Sequence, residues 1–210
     1  MINNPLTSRV PAGILAGLVL LALGCVGSSP SASFYLLEPV DVRGAADPDG
    51  GSFDDRVGLT LGVGPIHVAD YLDRPQLVVR GQGQELLVDE YNRWAEPLGT
   101  SLTRVMTRSL ATLLGTERVW SFPGKDRTRA DLRVVMDIER FDADSSGVAV
   151  LEARWYLVDG ATGESSEPTS FQAREACERA SVGARVEAMN RALDSLARQV
   201  AGHLNALELP

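Results

Sequence analysis

Glu96-Pro97-Leu98-Gly99-Thr100-Ser101-Leu102-Thr103-Arg104-Val105-Met106-Thr107-Arg108-Ser109-Leu110-Ala111-Thr112-Leu113-Leu114-Gly115 carries its own start and stop signals. Leu98, Leu102, Val105, Met106, Leu110, Leu113 and Leu114 recur at spacings of three and four, which draws one apolar stripe along a helix. Pro97 suits a first turn, whose N–H groups have no partner within the helix, and Glu96 suits the positive helix end. Gly115 tolerates the left-handed conformation that ends helices. A second stripe closes the chain: Val182, Val186, Met189, Leu193, Leu196, Val200, Leu204 and Leu207, with Ser181 placed as its cap. Two helices with one apolar face each need a surface to bury it against.

The strands supply that surface. Phe34 to Glu38 reads as a first strand ended by Pro39, and a Gly/Asp/Ala-rich loop follows from Asp41 to Arg56. Val57, Leu59, Leu61 and Val63 alternate with Gly58, Thr60, Gly62 and Gly64, so the large side chains share one face. The glycine face is nearly bare, which lets another element approach closely. Leu77–Arg80 and Glu85–Val88 read as the arms of a hairpin turned at Gly81-Gln82-Gly83. Beyond the first helix, Leu132, Val134, Met136 and Ile138 alternate with charged residues. Val148–Val158 reads as a central strand, turned back at Asp159–Gly163, and Thr169, Phe171 and Ala173 mark a third. The order predicts one α+β domain over 34–210, with a largely antiparallel sheet and two amphipathic helices packed on one face.

Composition excludes several functions. The formal charge is −8, so the chain lacks the basic face that nucleic-acid phosphates require. Nineteen of the twenty basic residues are arginine, Lys125 being the exception. Two histidines, His67 and His203, sit in no recognisable catalytic arrangement. Cys177 reads as a structural thiol rather than a nucleophile. Gly62-Val63-Gly64 starts like a dinucleotide motif, but His67 replaces the third glycine and Pro65 blocks the helix. The acidic loop lacks EF-hand spacing. Glu139 and Glu152 could meet in space as a carboxylate pair, though charged strand faces are the simpler expectation. No catalytic residue, metal site or cofactor is assigned.

The N-terminus carries the most specific local signal. Val10 to Leu23 is a fourteen-residue apolar run behind Arg9, and it ends at Leu20-Leu21-Ala22-Leu23-Gly24-Cys25. A spanning helix needs about 20 apolar residues, whereas a signal-peptide core takes about 7–15. The small residues before Cys25 resemble a bacterial lipobox, although the leucine usual three places before the cysteine is Ala22 here. Residues 1–24 are thus expected to be a lipoprotein signal peptide, with Cys25 lipidated. Residues 25–33 form a small-residue tether, and the mature chain carries 19 basic and 28 acidic residues, a charge of −9. Val26 stands where an aspartate would signal inner-membrane retention, which favours the periplasmic face of the outer membrane.

A Gly-Pro-Ile strand end, Tyr71-Leu72-Asp73-Arg74-Pro75, a strand ending in Arg80, and Tyr91-Asn92-Arg93-Trp94-Ala95-Glu96-Pro97-Leu98 occur in that order. This set resembles the PqiC-like auxiliary lipoproteins of bacterial ABC-type transport systems. Those accompany transporters built around MCE (mammalian cell entry) domains, which move lipids between membranes. The resemblance implies a non-catalytic periplasmic component that docks the MCE-domain protein and supports envelope integrity. Its partner-binding surface is expected to include Tyr71, Leu77, Val79, Tyr91 and Trp94, types suited to an interface and to strand pairing. The alternatives are a lipoprotein enzyme acting on envelope polymers and a stand-alone lipid-binding carrier. Self-association through the same edge, as a homo-oligomeric ring, ranks lower.

Overall fold

The computed structural model describes residues 31–39, 58–124, 129–178 and 180–207, and the expected elements form there in order. β1 (Ser33–Tyr35), β2 (Leu61–Val68), β3 (Gln76–Arg80) and β4 (Leu86–Trp94) precede helix α1 (Leu98–Leu114). β5 (Val119–Ser121), β6 (Leu132–Asp144), β7 (Val148–Asp159) and β8 (Thr169–Ala176) lead to helix α2 (Val182–Ala206). The Gly24–Cys25 junction, the loop at 41–56 and Val57 lie outside the described residues.

Both helix ends follow from their residues. Gly115 adopts φ 64° and donates its N–H to the carbonyls of Ala111 and Thr112, closing α1. The Ser181 side chain accepts the Ala184 N–H at 3.2 Å and opens α2. Leu98, Leu102, Val105, Met106, Leu110 and Leu114 are buried, as are Val186, Met189, Leu193, Leu196, Val200 and Leu204. Removing one leucine side chain from water is worth about 2 kcal/mol, so each stripe fixes its helix against the sheet. Five alanines of α2 (Ala184, Ala188, Ala192, Ala197 and Ala201) are buried beside the stripe, and their small side chains let the helix approach closely.

The fold is α+β with two helices on one sheet, as the residue pattern implies. The sheet itself is mixed. Its longest pairings are antiparallel: β6 with β7, from Leu132↔Asp159 to Ala143↔Ala149, and β7 with β8. The hairpin pairing of β3 with β4 is antiparallel too. Four shorter pairings are parallel, joining β1 to β4, β2 to β5, β2 to β6 and β3 to β6. β6 is the hinge of this arrangement. One of its edges is covered throughout by β7; the other is shared, first by β2 up to Val68↔Ile138 and then by β3 at Val79↔Ala143 and Arg80↔Asp144.

The bare face of β2 is used as its glycines suggest. A Cβ on Gly62 would press on Ala130, Phe122 and Arg133. Gly64 has φ +122°, and a Cβ there would collide with the Phe122 carbonyl oxygen. The backbone of Phe122 passes so close because its N–H bonds the Val63 carbonyl at 2.7 Å.

Leu196 is fully buried and Arg198 is exposed, paired with Asp194 at 3.2 Å. Leu196→Asp places an unpaired carboxylate in the core and is expected to cost several kcal/mol, on the order of 4. Arg198→Asp, which loses a surface ion pair, is expected to cost about 1 kcal/mol or less. Urea melts of the mature protein compare the two; equal losses would mean that the core-facing side of α2 is misassigned.

Candidate partner-binding surface

Chemistry-bearing side chains are dispersed. His67 is exposed on β2, while the His203 ring stands edge-on to the buried Trp155 at 5.1 Å, a packing contact. Cys177 is half-buried against the core, and burial pushes its thiol above the usual range, opposite to what a nucleophile needs. Among the described residues, no group of three His, Cys, Asp or Glu could hold a metal ion. Glu139 and Glu152 do not form a carboxylate pair. Glu139 bonds Arg154 at 2.6 Å, and Glu152 accepts from Gln172 at 2.9 Å and faces Arg140 at 3.9 Å.

One buried ionic centre does form. The Asp142 carboxylate on β6 has no solvent exposure. Its Oδ2 accepts from Arg80 Nη2 at 3.1 Å and from the Tyr71 hydroxyl at 3.0 Å, and its Oδ1 accepts from Arg140 Nε at 3.0 Å. A buried carboxylate is tolerable only when its lone pairs are met in this way. Tyr71 is pushed from 10.0 up to about 12, first by burial and then by the Asp142 charge and the hydrogen bond to it. Sequence reading picks out Tyr71 and Arg80 but not Asp142. The strand bulges between Ile138 and Arg140, which shifts the alternation: Phe141 and Ala143 continue the core face, and Asp142 is buried on the opposite face beside Arg140.

The hairpin of β3 and β4 forms as expected, with Gly83 at φ +64° in its turn. Leu77 and Trp94 lie in the core, 4% and 6% exposed, and Trp94 stacks on Phe141 at 6.4 Å. Tyr71 is half-buried at the ionic centre, and Val79 is half-buried. Of the five expected interface residues, Tyr91 is the one that is truly open, at 50%. Its neighbours on the second arm of the 77–88 hairpin, which the sequence also offers for strand pairing, are exposed with it: Leu86, Leu87 and Val88. Val79, Leu87, Val88 and Tyr91 line an open cleft of ≈ 480 Å³ together with Asp89, Glu90, Ser145 and Arg185. Along β4 only Asn92, Arg93 and Trp94 have β1 as a second neighbour. From Leu86 to Tyr91 that edge has no strand beside it among the described residues. A second cleft, ≈ 620 Å³, lies at the start of α1 between His67, Thr100, Arg104 and Phe122.

These features describe an α+β domain with two helices on one sheet, an ionic centre used for structure, and, among the described residues, one apolar strand edge left open. The chain belongs to the family of ABC-type transport auxiliary lipoprotein components, whose pattern it matches over residues 35–201. Its role is that of a non-catalytic auxiliary to transport. A crystal structure of a protein from Xanthomonas campestris superposes with a TM-score of 0.68 at 20% identity, covering 82% of this chain and 94% of that one. A crystal structure of an uncharacterised protein gives 0.67 at 18% identity, covering 83% and 99%. Both likenesses are likenesses of fold. No curated protein matches the chain.

The ionic centre predicts a pH effect whose sign is fixed. The raised Tyr71 value means that the folded state favours the neutral phenol. That contribution is complete below about pH 10 and is lost as pH rises through about 12. Tyrosinate absorbance is expected to show one of the four tyrosines titrating near 12, and Tyr71→Phe is expected to remove that step. Asp142→Ala is expected to cost about 3 kcal/mol in urea melts, because it takes the carboxylate partner from Arg80 and leaves Arg140 only the more distant Glu152. A loss below about 0.5 kcal/mol would show that the centre is dispensable.

Proposed function

We propose that this chain is a lipid-anchored periplasmic component of an ABC-type lipid-transport system, which docks an MCE-domain protein at the outer membrane. In this reading residues 1–24 are removed as a signal peptide, Cys25 carries the lipid, residues 25–33 are the tether, and the domain begins at 34. The observation that carries the docking role is the open edge of β4. Among the described residues it has no strand beside it from Leu86 to Tyr91, and it carries Leu86, Leu87, Val88 and Tyr91, exposed at 38%, 47%, 37% and 50%. Such an edge accepts an added strand, whose backbone supplies affinity while side-chain pockets supply selectivity. The family membership supports a transport role, and the fourteen-residue apolar run before Gly24-Cys25 supports the anchor. Tyr71, Leu77, Val79 and Trp94 then hold the hairpin in place from behind, and Tyr91 makes contact.

Two measurements test this. Cys25→Ala is expected to leave the precursor uncleaved and without fatty acid, read by metabolic labelling and mass spectrometry of the N-terminal peptide. An unmodified Cys25 in the mature wild type would sink the anchor. Wild-type protein is expected to bring the MCE-domain protein with it on purification, and the exposed double variant Leu87→Asp, Tyr91→Ser to recover it about tenfold less well. Both positions are exposed, unlike Leu77, whose burial would confound binding with folding. Equal recovery with a variant that melts like wild type would remove the hairpin from the interface. Failure to recover any MCE-domain protein with wild type would end the transport reading.

A further inference from the structure

All six large hydrophobic side chains that stand exposed among the described residues lie at one end of the sheet. Leu86, Leu87, Val88 and Tyr91 belong to β4; Phe34 and Leu36 belong to β1 and the residue that follows it. The last two are the most exposed of the set, at 64% and 52%. They alternate with Tyr35, which is partly buried against the core, and Leu37, which is fully buried. Phe34 and Leu36 thus form the outward row of a segment whose inward row is fixed. That segment is held rigidly. Tyr35 bonds Asn92 at 3.1 Å, the Leu37 carbonyl accepts from Arg104 at 3.1 Å, and the Glu38 N–H donates to Asn190 at 3.2 Å.

Two facts of the sequence bear on what covers this row. Phe34 lies nine residues after Cys25, and nine residues span at most about 32 Å. From Cys25 through Leu37 there is also no charged residue, in a chain of net charge −8 that is 23% charged overall. A surface carrying lipid headgroups would repel the rest of this acidic domain, but not this stretch. Two side chains are too few for a stable protein interface, which buries about 1,200–2,000 Å². They suffice against a surface that is already within reach, because the tether makes the encounter intramolecular.

We propose that Phe34 and Leu36 seat in the leaflet that holds the Cys25 lipid, so that β1 lies on the bilayer and fixes the orientation of the domain. The proposal rests on the anchor reading above and goes beyond it: the lipid supplies the attachment, and this row sets which side of the sheet faces the membrane. The open β4 edge then extends beside the bilayer, where a partner ending at that membrane meets it.

The test uses the mature lipoprotein in vesicles of phosphatidylethanolamine and phosphatidylglycerol. Phe34→Cys, Leu36→Cys and the exposed control Glu164→Cys, each with Cys177→Ser, carry an environment-sensitive fluorophore. Spin-labelled lipid is expected to quench positions 34 and 36 several-fold more than 164, and aqueous iodide is expected to do the reverse. Mass spectrometry of the same samples reports the acyl group. If the protein is acylated and positions 34 and 36 respond like 164, the bilayer contact is wrong and the anchor stands. If those positions are shielded from iodide yet unquenched by lipid, a protein surface covers them and the proposal is overturned. If Cys25 carries no acyl group, the anchor reading fails and the contact falls with it.

Discussion

The sheet depends on how a single buried carboxylate closes a gap in its backbone ladder. β6 changes neighbour midway along one edge, from β2 ending at Ile138 to β3 beginning at Ala143. Between these positions the strand bulges and its hydrogen-bonding rhythm is interrupted. Asp142 sits in that interval with no solvent exposure. Arg80 from β3, Arg140 from β6 and Tyr71 from the turn after β2 converge on its two oxygens. Side chains therefore do there what backbone pairing does elsewhere. A buried ion pair contributes little net stability compared with an apolar replacement, but losing one partner is costly. The arrangement accordingly ties the position of β3, and of the hairpin it begins, to one register on β6.

The parts of this fold that were legible in the sequence are those set by local periodicity. Both helices announce themselves through stripes and caps, because a helix buries residues close in sequence. The hairpin and the β6–β7–β8 meander were legible for the same reason, their turns being short. The four parallel pairings were not, since Ser33↔Asn92 or Leu61↔Leu132 joins residues far apart and leaves no local mark. The candidate surface was half legible. The hairpin could be found, but alternation alone cannot say which arm faces the core when β4 is bulged between its pairings of Asp89 with Leu77 and Arg93 with Gln76. Leu77 and Trp94 turned inward, while Leu86–Val88, an unbroken apolar run, remained outside.

Arginine use on the sheet makes sense of a composition that otherwise looks incidental. The helix-covered face takes Leu151, Ala153, Trp155 and Leu157 into the core. The opposite face of the same strands also has buried residues, Val135, Val150 and Val158, with no helix over them among the described residues. Their cross-strand partners are Tyr156, Arg174 and Arg133. Long guanidinium stems cover apolar surface while their heads stay wet. Arg133 lies over the Phe122 ring at 4.8 Å, and Arg154 pairs with Glu139 at 2.6 Å. Among the described residues, side chains rather than a layer thus shield the second face.

The three ends of the sheet are protected unequally, and this difference points to the functional end. β8 alternates exposed and half-buried residues and carries Gln172, Arg174 and Glu175, while Arg191 of α2 bonds the carbonyl of its last residue at 2.6 Å. β5 is three residues long, too short to template another strand. Short edges and charged edges are the usual defences against unwanted pairing. β4 has neither over Leu86–Val88, and β1, which could have covered it, pairs only at Asn92–Trp94. Hydrophobic exposure left on one undefended edge and on β1 is a cost to a free monomer in water. In the proposed arrangement a leaflet on β1 and a partner strand on β4 would remove that cost, because both cover apolar side chains that the fold itself leaves in water.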